Sequence, residues 1–332
     1  MRPDDLVAIT AAGLHCPSGG FHVDPWGPSE LALVTHAHRD HARPGASRYV
    51  CAEACAPLLR HRLGPEVSVR GVRYGERLAL GATIVSLHPA GHVLGSSQVR
   101  IEQDGRVWVV SGDYKRAPDP TCEPFEPLRC DVFVTEATFA LPIYRWSEPA
   151  SVVAEIHDWW RSNPERPSLL FAYALGKAQR VLAELGFLTD RPVLTHGAVE
   201  SIVRLYRDAG VAMLPTEPLA EAPKKSDLAG ALILAPPSAR ATPWMRRFAA
   251  AETGLASGWM RVRGPRRRQG FDRGFALSDH ADWPALLQTI DETGARRVVV
   301  THGYAEELAR FLRESGFEAE ALATSFEGEA DA

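Results

Sequence analysis

Thr35-His36-Ala37-His38-Arg39-Asp40-His41 follows directly on the apolar run Leu31-Ala32-Leu33-Val34. His36, His38, Asp40 and His41 can each ligate a metal, and they stand within six residues. Side chains alternate faces along a strand, so a regular strand would send His36, His38 and Asp40 to one side. A loop at the strand's end fans the four groups toward two neighbouring points instead. Imidazole and carboxylate donors together suit Zn²⁺ first, with Mn²⁺ as the alternative. The rival is a merely polar turn. Three His and one Asp packed this tightly behind a buried-type strand argue against it, and the cluster asks the rest of the chain for further ligands.

Other strand-like runs end in the same kind of residue. Ala82–Leu87 delivers His88-Pro89-Ala90-Gly91-His92, where small residues let the backbone turn tightly, and His92 is the ligand candidate. His88, four residues earlier and followed by Pro, reads as structural. Arg106–Val110 leads into Asp113, whose two oxygens can bridge two metals, and Asp131–Val134 leads into Glu136. Arg297–Val300 leads into Thr301-His302-Gly303, and His302 joins the ligand candidates. His280, between Asp279 and Asp282, is a third ligand or a proton donor. Asp24, at the tip of the short strand Phe21–Val23, either caps a turn or orients a ligand. Strands that deliver polar groups at one end of a sheet are where open α/β layouts place their sites. Ala46–Leu63 shows apolar residues at helical spacing and is expected to be helical up to the Gly64-Pro65 stop.

From about Tyr144 the pattern changes to strand–helix repeats: a helix over 151–160, a buried strand over 168–173, then Gly176-Lys177 opening a helix to Leu185. Further units follow at 192–208 and 231–235, giving a small parallel α/β domain. Lys177 at its helix start is a weak phosphate-loop likeness and an anion candidate. His196 reads as structural or surface.

At 332 residues the chain has room for about two domains, and 45% hydrophobic content is ample for their cores. No apolar run approaches the ~18 residues of a membrane span, and Met1-Arg2-Pro3-Asp4-Asp5 lacks the basic-then-apolar pattern of a secretory signal. Five cysteines without paired CxxC spacing argue against a disulfide framework and for a reducing cytoplasm. A net charge of −4 argues against a protein that coats nucleic acid wholesale. Nine Arg between Arg240 and Arg273 face only Glu252 and Asp272, which marks a local anion site. Arg266, Arg267 and Arg268 are its centre, since guanidinium forks fit phosphate. The rival there is a solvated charge run.

These residues resemble a family. His36-x-His38-x-Asp40-His41, Gly91-His92-x-x-Gly95-Ser96 and Asp113 resemble the metal motifs of the metallo-β-lactamase fold. Glu136, Ser278-Asp279-His280-Ala281-Asp282 and Thr301-His302-Gly303 resemble the further motifs of the β-CASP nucleases. More narrowly, Asp24-Pro25-Trp26, Gly258-Trp259-Met260 and Leu277–Trp283 look like the bacterial DNA-ligase-associated exonucleases. The resemblance implies an αββα metallo-β-lactamase sandwich over residues 1–145 and 269–325, an inserted β-CASP α/β domain over 146–268, and an acidic tail at 326–332. It implies two divalent ions, Zn²⁺ before Mn²⁺. His36, His38 and His92 would hold one, Asp40, His41 and His302 the other, with Asp113 bridging and Asp24 orienting the ligands from behind.

The implied activity is two-metal phosphodiester hydrolysis by a single-strand DNA exonuclease of DNA repair, with 5′ to 3′ polarity favoured and a DNA ligase and a helicase as functional associates. Asp40, His280 and Glu136 are the expected catalytic residues, His280 as proton donor and Glu136 as the group that holds it. Lys177, Ser278 and Arg266 to Arg268 are the expected phosphate contacts. Artemis-type relatives lack a His at the place of His302, which keeps an RNA-processing β-CASP ribonuclease in play. A small-molecule metallohydrolase, such as a thioesterase or lactonase, would need neither the inserted domain nor His280. The complete ligand set argues against an idle scaffold.

Overall fold

The computed structural model describes residues 2, 5–220, 228–248, 250–262 and 270–324. Arg266, Arg267, Arg268 and the tail at 326–332 lie outside the described residues. The chain divides into two compact units, one of Met1–Pro118, Cys122–Tyr144 and His280–Ala330, the other of Asp119–Thr121 and Arg145–Asp279. The second boundary differs from the expected 268. Arg273–Phe275 pairs in parallel with Glu252–Ala256, so the residues just before His280 belong to the second unit's sheet.

Two sheets build the first unit. One has six strands in sequential order: β1 (Ala8–Thr10), β2 (Gly13–Cys16), β3 (Phe21–Val23), β4 (Ser29–Leu33), β5 (Ala46–Ala52) and β6 (Val69–Val72). The other runs β19 (Glu318–Ala321), β18 (Arg297–Thr301), β11 (Val132–Glu136), β10 (Arg106–Val110), β9 (Ser97–Gln103), β8 (Thr83–Pro89) and β7 (Leu78–Leu80). The expected helix over Ala46–Leu63 is half wrong. Ala46–Ala52 is a strand held in parallel between β4 and β6, and only Ala56–Leu63 is α-helix (α1). Tyr49 to Ala52 form an unbroken buried run, as a strand between two neighbours requires, and such a run mimics helical periodicity.

The register of the second sheet positions the site. β11 and β18 are parallel with Glu136 opposite Thr301, so Glu136 and the residue after Thr301, His302, leave the sheet side by side. Helices α5 (Trp283–Thr293) and α6 (Ala305–Glu314) cover this sheet, burying Leu286, Ile290, Leu308 and Leu312 with Phe133, Val298 and Val300. Local sequence sets the bounds of α5. The Asp282 carboxylate accepts from Ala285 N at 3.1 Å, Pro284 stands in the first turn, and Gly294 closes the helix at φ 64°.

The second unit is a wholly parallel sheet, β14 (Thr216–Pro218), β13 (Val193–Thr195), β15 (Leu232–Ala235), β12 (Ser168–Phe171), β16 (Glu252–Ala256), β17 (Arg273–Phe275). Alternate residues serve two cores. Leu170, Leu232 and Leu234 pack with helices α2 (Pro149–Arg161), α3 (Lys177–Leu185) and α4 (Gly197–Asp208); Leu169, Phe171 and Ile233 face the opposite cluster. Burial on both faces explains the continuous apolar strands. Among the described residues no helix is long and apolar enough to cross a membrane.

Candidate metal centre

Loops at the ends of β4, β8, β10, β11 and β18 bring the site residues of the first unit together. His36 Nε2 lies 3.1 Å from His38 Nδ1, and His38 Nδ1 lies 3.0 Å from His92 Nε2. Asp113 Oδ2 stands 3.5 Å from His36 Nε2 and 3.8 Å from His92 Nε2. Its other oxygen, Oδ1, stands 2.8 Å from His302 Nε2 and 3.5 Å from His41 Nε2. Asp40 Oδ2 lies 3.6 Å from His41 Nε2, at the edge of this second set. His36, His38, His92 and Asp113 thus form one group that could hold a metal ion, and His41, Asp113 and His302 form another.

Glycines permit this convergence. Gly112, before Asp113, has φ 58°, and a Cβ there would come within 2.7 Å of the Thr35 side chain. Gly91, before His92, has φ 71°, and its Cβ would meet Lys115 O at 2.3 Å. Two non-glycine residues at the site also take positive φ, Asp24 at 44° and His302 at 28°. Strain of this kind survives only where the surroundings impose it.

The histidines are oriented from behind. Asp24 Oδ2 accepts from Thr35 Oγ1 at 2.6 Å and from His41 Nδ1 at 2.7 Å, and Oδ1 accepts from Thr35 N at 2.8 Å. With its own proton given to Asp24, Thr35 Oγ1 accepts from His36 Nδ1 at 3.1 Å. Likewise Thr301 Oγ1 donates to Thr135 O at 3.1 Å and accepts from His302 Nδ1 at 2.9 Å. These partners assign the Nδ1–H tautomer to His36, His41 and His302, leaving Nε2 for the centre. His302 Nε2 then faces a carboxylate oxygen at 2.8 Å, acceptor to acceptor. A cation between them resolves that opposition, so the donor set fits divalent metal ions.

The electrostatics agree. Burial, aided by the neighbouring His41, holds the His36 pKa well below that of ordinary imidazole, as a neutral ligand needs. At His41 burial opposes protonation, but Asp113, Asp40 and Asp24 outweigh it and raise the pKa well above normal. Burial would likewise raise Asp113, yet the facing His41 and His280 imidazoles hold it well below the usual carboxylate range. The pocket is built to hold positive charge.

Beside the two groups, Glu136 accepts from His280 Nδ1 at 2.9 Å through Oε2 and from Tyr114 N at 2.8 Å through Oε1. Both side chains are buried, and the His280 ring centroid is 4.7 Å from that of His92. The expected phosphate contacts are placed otherwise. Lys177 is fully buried in the second unit with Nζ 3.4 Å from Asp279 Oδ2, which is not the setting of an open phosphate contact. Ser278 is also buried there, and its carbonyl accepts from Arg180 Nη1 at 2.9 Å. Arg266 to Arg268 lie outside the described residues. Sequence reasoning missed Thr35 and Thr301 as orienting residues. The signal was the same Thr-His dipeptide, Thr35-His36 and Thr301-His302, after two apolar strands.

No family model matches the chain. A protein of Opitutus terrae named "Probable DNA ligase" is 32% identical over 93% of this chain, a match that spans 30% of that protein. A ribonuclease of Thermus thermophilus is 28% identical over 60% of this chain and 49% of its own length. An "RNase J-like protein" of Methanocaldococcus jannaschii is 25% identical over 40% of this chain and 34% of its own. The chain therefore spans less than half the length of each of these curated relatives. A crystal structure of an Enterococcus faecalis protein of unknown function shares the fold, with a TM-score of 0.60 over 90% of this chain and 80% of that one at 14% identity. The relatives together point to the metallo-β-lactamase/β-CASP nuclease superfamily.

Proposed function

We propose that the protein is a metal-dependent nuclease that hydrolyses phosphodiester bonds at a two-metal centre, acting as a single-strand DNA exonuclease in repair. One observation carries the reading: Asp113 turns Oδ2 toward His36 and His92 and Oδ1 toward His41 and His302. On this reading the first unit is the metallo-β-lactamase sandwich and the second is the inserted β-CASP domain. The ligase-named relative, three-tenths of which matches this chain, supports a working link with DNA ligation. The helicase association rests on the family resemblance alone.

His36, His38 and His92 would hold one ion and Asp40, His41 and His302 the other, with Asp113 shared. Bound there, two divalent cations supply an activated water and neutralise charge on the phosphoryl oxygens. Asp24 and the two threonines keep the imidazoles aimed. His280, its Nδ1–H held by Glu136, presents the opposite ring nitrogen as donor of the proton that the departing sugar oxygen requires. Glu136 favours the charged imidazole and so supports that proton. Lys177 and Ser278 have no part in this scheme; Arg266 to Arg268 remain candidate phosphate contacts.

Two relatives named as ribonucleases favour a second reading, RNA as the substrate. End-labelled single-stranded DNA and RNA of one sequence, incubated with Zn²⁺- or Mn²⁺-loaded protein, decide between them. A ladder from DNA alone supports the first reading, a ladder from RNA the second, and no cleavage of either sinks both.

A further inference from the structure

The loop that carries His92 is closed through Ser96. Residues 90–96 join β8 to β9, and Gly91 and Gly95 among them take φ of 71° and 72°. Ser96 Oγ accepts from His92 N at 3.0 Å and from Val93 N at 3.2 Å. Ser96 N donates to Val93 O at 2.9 Å, and Ser96 O accepts from Ala90 N at 3.1 Å. One more bond to Ser96 comes from outside the loop: Tyr74 Oη donates to Ser96 O at 2.9 Å. Tyr74 stands between β6 and β7, where the chain passes from one sheet of the first unit to the other. Its neighbour Gly75 donates from N to Leu87 O at 2.8 Å, which ties this crossing to β8. A Cβ at Gly95 would come within 2.2 Å of Cys55 N, so the loop also lies tight against the residues before α1.

Other imidazoles of the centre take their aim elsewhere, His41 from Asp24, His36 from Thr35 and His302 from Thr301. His92 belongs to the group of His36, His38 and Asp113, and has no place in the group of His41, Asp113 and His302. We propose that Tyr74 is a positioning residue for one metal ion only: by holding Ser96 it fixes His92, and so sets the affinity of the ion at His36, His38 and His92 without setting that of its neighbour. A loop ordered before the ion arrives binds it more tightly than one that must be ordered on binding. Two ions that share Asp113 therefore depend on different parts of the fold, and loss of one hydroxyl far from the second group empties the first group sooner at limiting metal. This inference rests on the two-metal reading and names what controls the filling of one half of that centre.

The test uses Tyr74→Phe, which removes the hydroxyl and keeps the ring. Stepwise Zn²⁺ dissociation constants are measured on the metal-free full chain by competition with a chelator, and bound zinc is counted by atomic absorption. One of the two constants should rise about tenfold, the low end of the loss typical for a group that holds a ligand in place, while the other keeps its wild-type value. Backgrounds lacking one ligand identify which constant moved. In His302→Ala, which leaves the first group whole, Tyr74→Phe should again raise the constant of that group about tenfold. In His92→Ala it should add nothing, because the hydroxyl acts only through His92. No rise in either constant, equal rises in both, or a rise that persists in His92→Ala overturns the role of Tyr74 and leaves the two-metal reading standing. A wild type that binds a single ion, weakened by Tyr74→Phe, sinks the two-metal reading and keeps the hold on His92. A wild type that binds no zinc sinks both.

Discussion

A carboxylate has two oxygens, and at Asp113 each faces its own set of imidazoles, so that one side chain belongs to two groups that could each hold a metal ion. The aim of those imidazoles depends on residues that never reach the centre. Asp24 bonds His41 directly and His36 through Thr35, so Asp24→Ala should weaken Zn²⁺ affinity about 10- to 100-fold, measured by competition with a chelator. An unchanged affinity would reduce Asp24 to a turn residue. His280→Ala should leave both metals bound but slow cleavage of an ordinary strand by about 10²- to 10⁴-fold. The loss should be much smaller on an activated aryl diester, whose leaving group needs no proton. An equal loss on both substrates would reject the proton-donor role. Ligand candidates were legible at this scale because each stands just after an apolar run. The orienting threonines and the burial of Lys177 were not, since a hydroxyl or an ammonium carries no mark of its partner in the sequence.

At the scale of elements, parallel registry sets the site, and ionic anchors hold the strands in place. Arg297 opens β18, two neighbours from β10, and its guanidinium bonds Asp5 at 2.6 and 2.9 Å as well as Glu320. Arg297 and Asp5 are each 7% exposed, so Arg297→Ala should cost about 2–3 kcal/mol in denaturant unfolding at neutral pH. Burial pushes the Asp5 pKa up, but the Arg297 and Arg2 contacts outweigh it and hold it below the ordinary value. A depressed carboxylate stabilises the fold above its unfolded pKa, about 3.9, and that contribution vanishes as pH falls through the folded value. The gap between wild type and Arg297→Ala should therefore narrow below about pH 4. A gap that stays constant would place the cost in packing. Most helices and strands followed from periodicity and stop signals. The strand at Ala46–Ala52 did not, because a run buried between two parallel neighbours has no alternation to read.

For the whole molecule, metal binding and folding are linked. Cations that bind only the native state stabilise it by about 2.7 kcal/mol per site at a hundred times Kd. Adding Zn²⁺ should raise the unfolding midpoint and a chelator should reverse the gain, with His38→Ala showing a reduced gain and a lower metal count. A midpoint indifferent to metal would contradict a centre assembled from four separate segments of the chain. Those segments span residues 36 to 302, so no short piece of sequence holds the site.

Local pattern in the chain was enough for the donor chemistry: which imidazoles and carboxylates exist, that they follow apolar strands, and that a second strand–helix unit interrupts the first. Such properties are written in neighbouring residues. Which imidazoles lie near which oxygen of Asp113 is a property of the tertiary structure, because it depends on strand register between segments far apart in the chain. Folding also settled which basic groups meet solvent. Lys177 reads as open at a helix start but is closed in against Asp279, whereas Arg62, in an ordinary helix end, reaches Ala37 between two ligands. Burial and charge pairing are set by residues far apart in the chain, so a sequence supplies the charges without saying which of them are left to bind a substrate.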